Sequence, residues 1–458
     1  MLKNYFKSAW RNLGKSKMHS FINIAGLSIG MAVVIMIGLW IHDEISFDKG
    51  FKSHKKIARV LQNVTNNGEV QTWWNMPFPL ADELRTNYGR DFKHVAMGAG
   101  WGDHMITIND QTIKQVGGYF EKEFPEIFTL EMVHGNRKGL SDPSAVLISA
   151  SAAKAFFNTE NALNKIIVID HQPPVKVAGV YADFPRNSTL AGLNFIGSWE
   201  YFYVNQRMSE NDEPWRPNFT QLFVELNDNV DFASASLRIK DAKLRKVNDQ
   251  LKKKKPELFL LPMDSWHLKS EFKEGKNVGG AIQYVWMFGF IGAFVLMLAC
   301  INFMNLSTAR SEKRAKEVGI RKTLGSVKKQ LLLQFFSESF LTVLLAFVLC
   351  LAVSWMVLPL FNSIADKQMS IPWTDPMFWI TSLVFILLTA GIAGSYPAFY
   401  LSAFKPVKVL KGTFKAGRAA AIPRKVLVVL QFTVSVALVI GTLVVYRQIQ
   451  FAKNRPLG

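Results

Sequence analysis

The chain has 458 residues, with 54 Lys+Arg against 35 Asp+Glu and a formal net charge of +19. A hydrophobic content of 49% beside 19% charged residues points to apolar segments alternating with an ordinary water-facing portion. The two cysteines, Cys300 and Cys350, both lie in apolar runs, which excludes a disulfide framework or a cysteine metal site in that portion.

The charge is unevenly placed. Residues 42–283 carry 30 Lys+Arg against 30 Asp+Glu, so the whole excess flanks the apolar runs. A nucleic-acid binder would concentrate it on a folded face or tail, so nucleic acid is not expected as a partner. Excess confined to membrane-flanking loops is the positive-inside pattern, and the lipid bilayer is the expected surrounding.

At the N-terminus, Leu2–Leu13 sets Leu2, Phe6, Ala9, Trp10 and Leu13 on one helical face and Lys3, Lys7 and Arg11 on the other. This spacing predicts an interfacial amphipathic helix over 1–20 on the cytoplasmic leaflet. An apolar run follows at 21–41, too long and without a cleavage site for a signal peptide, and reads as an uncleaved anchor.

Residues 42–283 then mix helix and strand signals. Phe78–Thr86 and Ser149–Phe157 read as helices, the second with Ser149 as N-cap. Val146–Ile148, Lys165–Asp170, Val175–Val180 and Leu222–Leu226 read as strands, giving an α+β domain with antiparallel or mixed sheets. His94, His104, His134, His171 and His267 lack metal-ligand spacing and read as structural. Lys252–Lys255 reads as a solvated helix face. Neither a carboxylate pair nor a nucleophile constellation stands out, so no catalytic, cofactor-binding or metal residues are assigned. Gly14-Lys15-Ser16 lacks the earlier glycine and the preceding strand of a phosphate loop, so ATP hydrolysis by this chain is not expected.

Further apolar runs span 284–303, 340–361, 377–396 and 426–446. The loop 304–339 and the basic loop 397–425 are rich in Lys and Arg, whereas 362–376 has one Lys and two Asp. Positive-inside logic places the N-terminus and both basic loops in the cytoplasm, and 42–283, the short loop and the tail 447–458 outside. Asn305–Lys322 reads as a continuous charged helix, broken at Thr323–Ser326, with Gly325 as a left-handed cap and Ser326 as the next N-cap. Ile320, Leu324, Val327, Leu331 and Phe335 share one predicted face. Such an elbow suits docking in a groove of a soluble partner.

The run Arg314–Ser326, then Gln334-Phe335-Phe336-Ser337-Glu338, and Gly394–Leu401 with Lys405-Pro406, closely resemble the signature of MacB/FtsX-type ABC transporter permeases. His42–Asp48, Tyr119-Phe120, Phe124–Phe128, Val146–Ser149 with Ala152–Lys154, and Asn187-Ser188 resemble that family's periplasmic core domain. The resemblance covers almost the whole chain. It implies a membrane protein of α-helical spans with one large α+β periplasmic domain inserted between spans 1 and 2, in a bacterial inner membrane. It further implies a separate cytoplasmic ABC ATPase subunit that holds the ATP, with no cofactor in this chain.

On the resemblance, Glu317, Arg321 and Lys322 would contact the ATPase through charge pairs, and Val318, Ile320 and Leu324 would form the apolar key. Gly319 and Gly325 complete that coupling elbow. A stiff helix from Gly279 to Lys322 would suit transmission of ATPase motion to the periplasmic domain. The implied function is export or extraction of a drug, peptide or lipoprotein, the alternative being an FtsX-like regulator of periplasmic partners such as cell-wall hydrolases. A periplasmic adaptor, self-association or a second permease half are further implied partners. Arg424–Arg447 looks like the start of a second copy of the unit, which implies a chain that continues or a variant with an extra terminal anchor.

Overall fold

The computed structural model describes residues 2–15, 17–109, 111–309, 318–402 and 418–453. They divide into a helical unit, Met1–Ile41 with Trp286–Gly458, and an α+β unit, His42–Val285.

Helix α1 (Leu2–Lys15) buries Ala9 completely but leaves Trp10 exposed beside Lys7 and Arg11. The predicted apolar face therefore splits, one edge turned inward and one outward. Helix α2 (Lys17–Ile45) overruns its apolar run at both ends, because its polar flanks keep helical geometry and meet no breaker until Asp48, whose φ is +63°.

The α+β unit opens with the hairpin β1 (Ile57–Asn66) and β2 (Glu69–Trp73). Asn67 and Gly68 both have positive φ at its turn, the pairing that a two-residue hairpin with right-twisted strands demands. Helix α3 (Leu80–Tyr88) starts two residues later than predicted, after Pro79 at its N-cap. The long strands β3 (Phe92–Ile108) and β4 (Gln111–Phe120) lead to the short helix α4 (Phe124–Ile127) and strand β5 (Met132–Gly135). Strand β6 (Ala145–Ser149) runs into helix α5 (Ala150–Phe157), whose N-cap is Ser149, accepting from the Ala152 N–H as expected. Then come β7 (Ile166–Ile169), β8 (Val175–Tyr181), β9 (Phe195–Ser198), α6 (Trp199–Asn205), β10 (Gln221–Leu226), α7 (Phe232–Ile239), α8 (Asp249–Lys252) and β11 (Glu257–Pro262). The hairpin β12 (Glu271–Lys273) and β13 (Lys276–Gly279) closes the unit.

The main sheet runs β11-β1-β10-β3-β4-β9-β6-β8-β5, with β2 on β1 and β7 bridging β3 and β8. It is mixed: β4–β9 and β6–β8 are parallel and the other pairs antiparallel. Three apolar clusters cover it, around Phe120 and Phe124, around Leu84 and Val224, and around Ile148 and Phe195. Three glycines sit opposite aromatic rings across the ladder: Gly98 faces Phe120, Gly117 faces Phe195, and Gly197 faces Tyr119. Each ring lies over the bare glycine backbone and fills the space a side chain would take. The four-lysine run is a correction: only Lys252 is helical, and the chain turns through Lys253 and Lys254 to Lys255 at φ +45°.

Lys243 is buried, and its Nζ donates to Gln62 Oε1 and Asn218 Oδ1, each at 2.6 Å. Burial, helped by the nearby Lys254 charge, lowers its pKa to about 8. The unfolded chain therefore holds this proton more tightly, and folding is favoured as pH rises between about 8 and the free-lysine value of 10.5. Protection of the β1 amides against hydrogen exchange, corrected for intrinsic rates, should rise by about 3 kcal/mol across that window. The rise should be absent in Lys243→Met; if it persists there, another group is responsible.

Helix α9 (Ile282–Ala309) starts at Ile282 rather than continuing from Gly279, because Gly279 and Gly280 have φ of +102° and +132° and break it. It is followed by α10 (Lys328–Ala365), α11 (Pro376–Ser402) and α12 (Arg418–Lys453). Among the described residues, α2, α9, α10, α11 and α12 are long and apolar enough to cross a membrane, with mean hydropathies of 2.0–2.7. The first four share a core of Leu27, Met31, Cys300, Phe303, Val343, Phe347, Cys350 and Ile386. Small residues set their spacing: a Cβ at Gly30 would lie 2.6 Å from Ala299, and one at Gly394 would lie 2.9 Å from Ser339. Among the described residues, none in the apolar stretch of α12 is buried.

Candidate functional site

The elbow between α9 and α10 is described from Val318 onward; residues 310–317, which include Glu317 and the middle of the predicted charged helix, lie outside the described residues. So do Lys405 and Pro406. Residues 318–323 are helical. The Gly325 N–H donates to Lys322 O and the Ser326 N–H to Arg321 O, with Gly325 at φ +96°. This is the paired capping pattern that ends a helix on a left-handed glycine, as predicted. The next N-cap is Val327 rather than Ser326: Gln330 Oε1 accepts from the Val327 N–H at 3.3 Å.

The predicted single apolar face is two faces. Val318 is 3% exposed and packs with Leu331, Phe335, Ala398 and Leu401, and Gly319 is buried beside it. Ile320, Leu324 and Val327 point out, at 50%, 80% and 57% exposure. The left-handed turn at Gly325 rotates the following helix, so helical offsets do not carry across it. Arg321 and Lys322 are half-buried and tie the elbow down: Arg321 Nη1 donates to Gln334 Oε1, and Lys322 Nζ donates to Ser402 O at 2.7 Å. Gln334 Nε2 reaches Glu338 Oε1 at 3.4 Å, and Asn12 Nδ2 of α1 donates to the same oxygen at 2.7 Å.

A second cluster lies in the α+β unit, where the chain enters from α2 and leaves toward α9. His267 Nε2 meets Glu44 Oε2 at 2.5 Å, and the His267 ring stacks on Phe47 at 3.7 Å between centroids. Buried Asp48 accepts from both the N–H and the hydroxyl of Thr189 at 2.6 Å, and burial raises its pKa. Asn187 Nδ2 donates to Ser46 Oγ at 3.3 Å. The motifs His42–Asp48 and Asn187-Ser188 thus meet in space. The Ile282 N–H, at the start of α9, donates to Leu268 O at 3.0 Å, one residue from His267. Arg59 sits among Trp74, Phe223 and Trp266, 4.7–5.3 Å from the ring centroids, and burial lowers its pKa to about 10. Sequence reasoning missed Arg59 and Thr189; neither carries a spacing signal, since their partners are over a hundred residues away or contributed by aromatic faces.

His104 is held by Asp170 and the Gly100 carbonyl oxygen, each at 2.5 Å. Among the described residues, no three His, Cys, Asp or Glu side chains come together as a metal would need.

Two family profiles match the chain: the MacB-like periplasmic core domain over residues 20–242 and the FtsX-like permease C-terminal region over residues 289–406. An uncharacterized ABC transporter permease of Bacillus subtilis, YknZ, is 23% identical over 319 residues, covering 68% of this chain and 69% of that protein. A macrolide export ATP-binding/permease protein MacB of Burkholderia lata is 25% identical over 275 residues, 58% of this chain and 36% of that protein. The matches to the MacB proteins span 35–59% of those proteins' length. The periplasmic region of MacB from Actinobacillus actinomycetemcomitans overlays on 48% of this chain and 92% of that one, with a TM-score of 0.35 and 17% identity.

Proposed function

Because the chain belongs to the MacB/FtsX-type ABC transporter permeases, we propose that it couples a separate cytoplasmic ATPase to motion of its α+β unit. The observation carrying this reading is the elbow, which presents Ile320, Leu324 and Val327 to solvent while Val318, Arg321 and Lys322 fix its base. An apolar trio on a capped, anchored turn is a preformed knob for a protein groove and needs little ordering on docking. The ATPase dimerises on binding ATP and moves the knob. The helices carry that motion to the cluster around Glu44, Asp48 and His267. The cargo is a drug, peptide or lipoprotein handled outside the inner membrane.

This reading puts the elbow in the cytoplasm and the α+β unit in the periplasm. In variants lacking Cys300 and Cys350, a membrane-impermeant thiol reagent applied to intact spheroplasts should label Lys253→Cys and spare Thr323→Cys. Labelling of Thr323→Cys in sealed cells would sink the orientation. The coupling itself is tested by reconstituting the chain with the ABC ATPase subunits of its source cell, one at a time. A cross-link from Leu324→Cys to that subunit, formed without nucleotide and altered by ATP, is the expected result. Its absence with a folded complex would place the contact elsewhere.

A further inference from the structure

Arg321, Gln334, Glu338 and Asn12 form a chain of side-chain hydrogen bonds that starts on the elbow, crosses α10 and ends on α1. At its far end, α1 turns Trp10, Lys7 and Arg11 outward while Ala9 is buried against its neighbours. An aromatic flanked by cations on a short amphipathic helix is the chemistry of an anionic lipid surface. From this juxtaposition we infer that the four residues are a positioning relay, through which α1, seated on anionic lipid headgroups, sets the angle of the elbow. The inference rests on the elbow being the coupling surface.

The surroundings of Glu338 suit a relay better than a rigid strut. A cavity of about 70 Å³, lined among others by Asn12, His19, Asn23, Glu338, Ser339 and Thr342, lies on one side of it. A smaller one of about 10 Å³ touches Asn12, Arg321, Gln334 and Glu338. Asn23 Oδ1, buried at the wall of the larger cavity, has no hydrogen-bond partner among the described residues. A polar space of this size has room for water, so the Glu338 carboxylate can exchange Asn12 for solvent without opening a void. Movement of α1 on the membrane is thereby passed to Gln334 and Arg321 at little packing penalty. Lys322, bonded to Ser402 O, is the pivot that remains fixed.

The test needs no ATPase. Spin labels at Gly14→Cys and Thr323→Cys, in full-length chain with Cys300 and Cys350 replaced by alanine, report the distance between α1 and the elbow in lipid nanodiscs. Adding phosphatidylglycerol to phosphatidylcholine should narrow the distance distribution in the parent. The narrowing should be lost in Asn12→Leu and, independently, in Gln334→Leu, and kept in Glu338→Gln, which still accepts from Asn12. A distribution insensitive to phosphatidylglycerol in the parent, or a narrowing that survives in both leucine variants, overturns the relay. Failure of the coupling reading shows separately, as an ATPase complex indifferent to changes at Leu324.

Discussion

Replacing Leu324 with Glu should weaken the complex with the ATPase subunit by about a hundredfold while leaving the permease folded. Leu324 is among the most exposed large apolar residues of the chain, at 80%, so a carboxylate there meets water in the free protein. In the docked state the same carboxylate would replace a buried leucine. Loss of its transfer free energy is about 2–3 kcal/mol, and an interface anchor of this kind contributes a comparable amount. Ile320→Glu, at half exposure, should have a smaller effect in the same direction. Val318→Asp is the informative contrast: it puts a charge among Leu331, Phe335 and Ala398 and should disorganise the elbow itself. Equilibrium binding to nanodisc-reconstituted permease, paired with protease sensitivity of the elbow, separates the cases. Unchanged affinity in Leu324→Glu with intact folding removes the elbow from the interface.

Gly117→Val should be the most damaging single change in the α+β unit, at about 3 kcal/mol or more. A Cβ at Gly117 falls onto the Phe195 ring, its direct partner across the β4–β9 ladder. Phe195 is fully buried and is itself packed edge-on against Tyr119 and His104, so it has nowhere to retreat. Overpacking of this kind forces rings off their rotamers or the strands apart, and parallel pairing is the weaker ladder to open. The combination Gly117→Val with Phe195→Ala should recover part of the loss, because it restores the volume. Thermal unfolding followed by tryptophan fluorescence reads both. Equal stability of Gly117→Val and the parent would mean the ring does not pack on the glycine as described.

The spans were legible because a bilayer demands the same thing of every crossing segment, about twenty apolar residues, and that signal is local. The ends were not: α2 and α10 extend well past their apolar runs, since helical hydrogen bonding does not stop where hydrophobicity does. In the α+β unit, β6, α5 and β8 were readable from β-branched runs and a serine cap. The long β3–β4 hairpin was not, because its glycines Gly98 and Gly117 break the apolar alternation, and the rings that complete it, Phe120 and Phe195, come from neighbouring strands. The elbow shows the same divide. Its glycine cap is written into four consecutive residues. The inward turn of Val318, Arg321 and Lys322 depends on Gln334, Phe335 and Ser402, which no helical wheel brings beside them.

The glycine pair before α9 gives the α+β unit two unlike attachments. Its incoming segment is the last turn of an unbroken helix, clamped through Glu44 and Asp48 to His267 and Thr189. Its outgoing segment passes through two residues with positive φ, after which the Ile282 N–H donates to Leu268 O. In engineering terms one is a keyed shaft and the other a swivel. A glycine backbone resists twist less than a continuous helix does, so the second attachment is the softer of the two in torsion. Replacing Gly280 by a β-branched residue would turn the swivel into a second shaft.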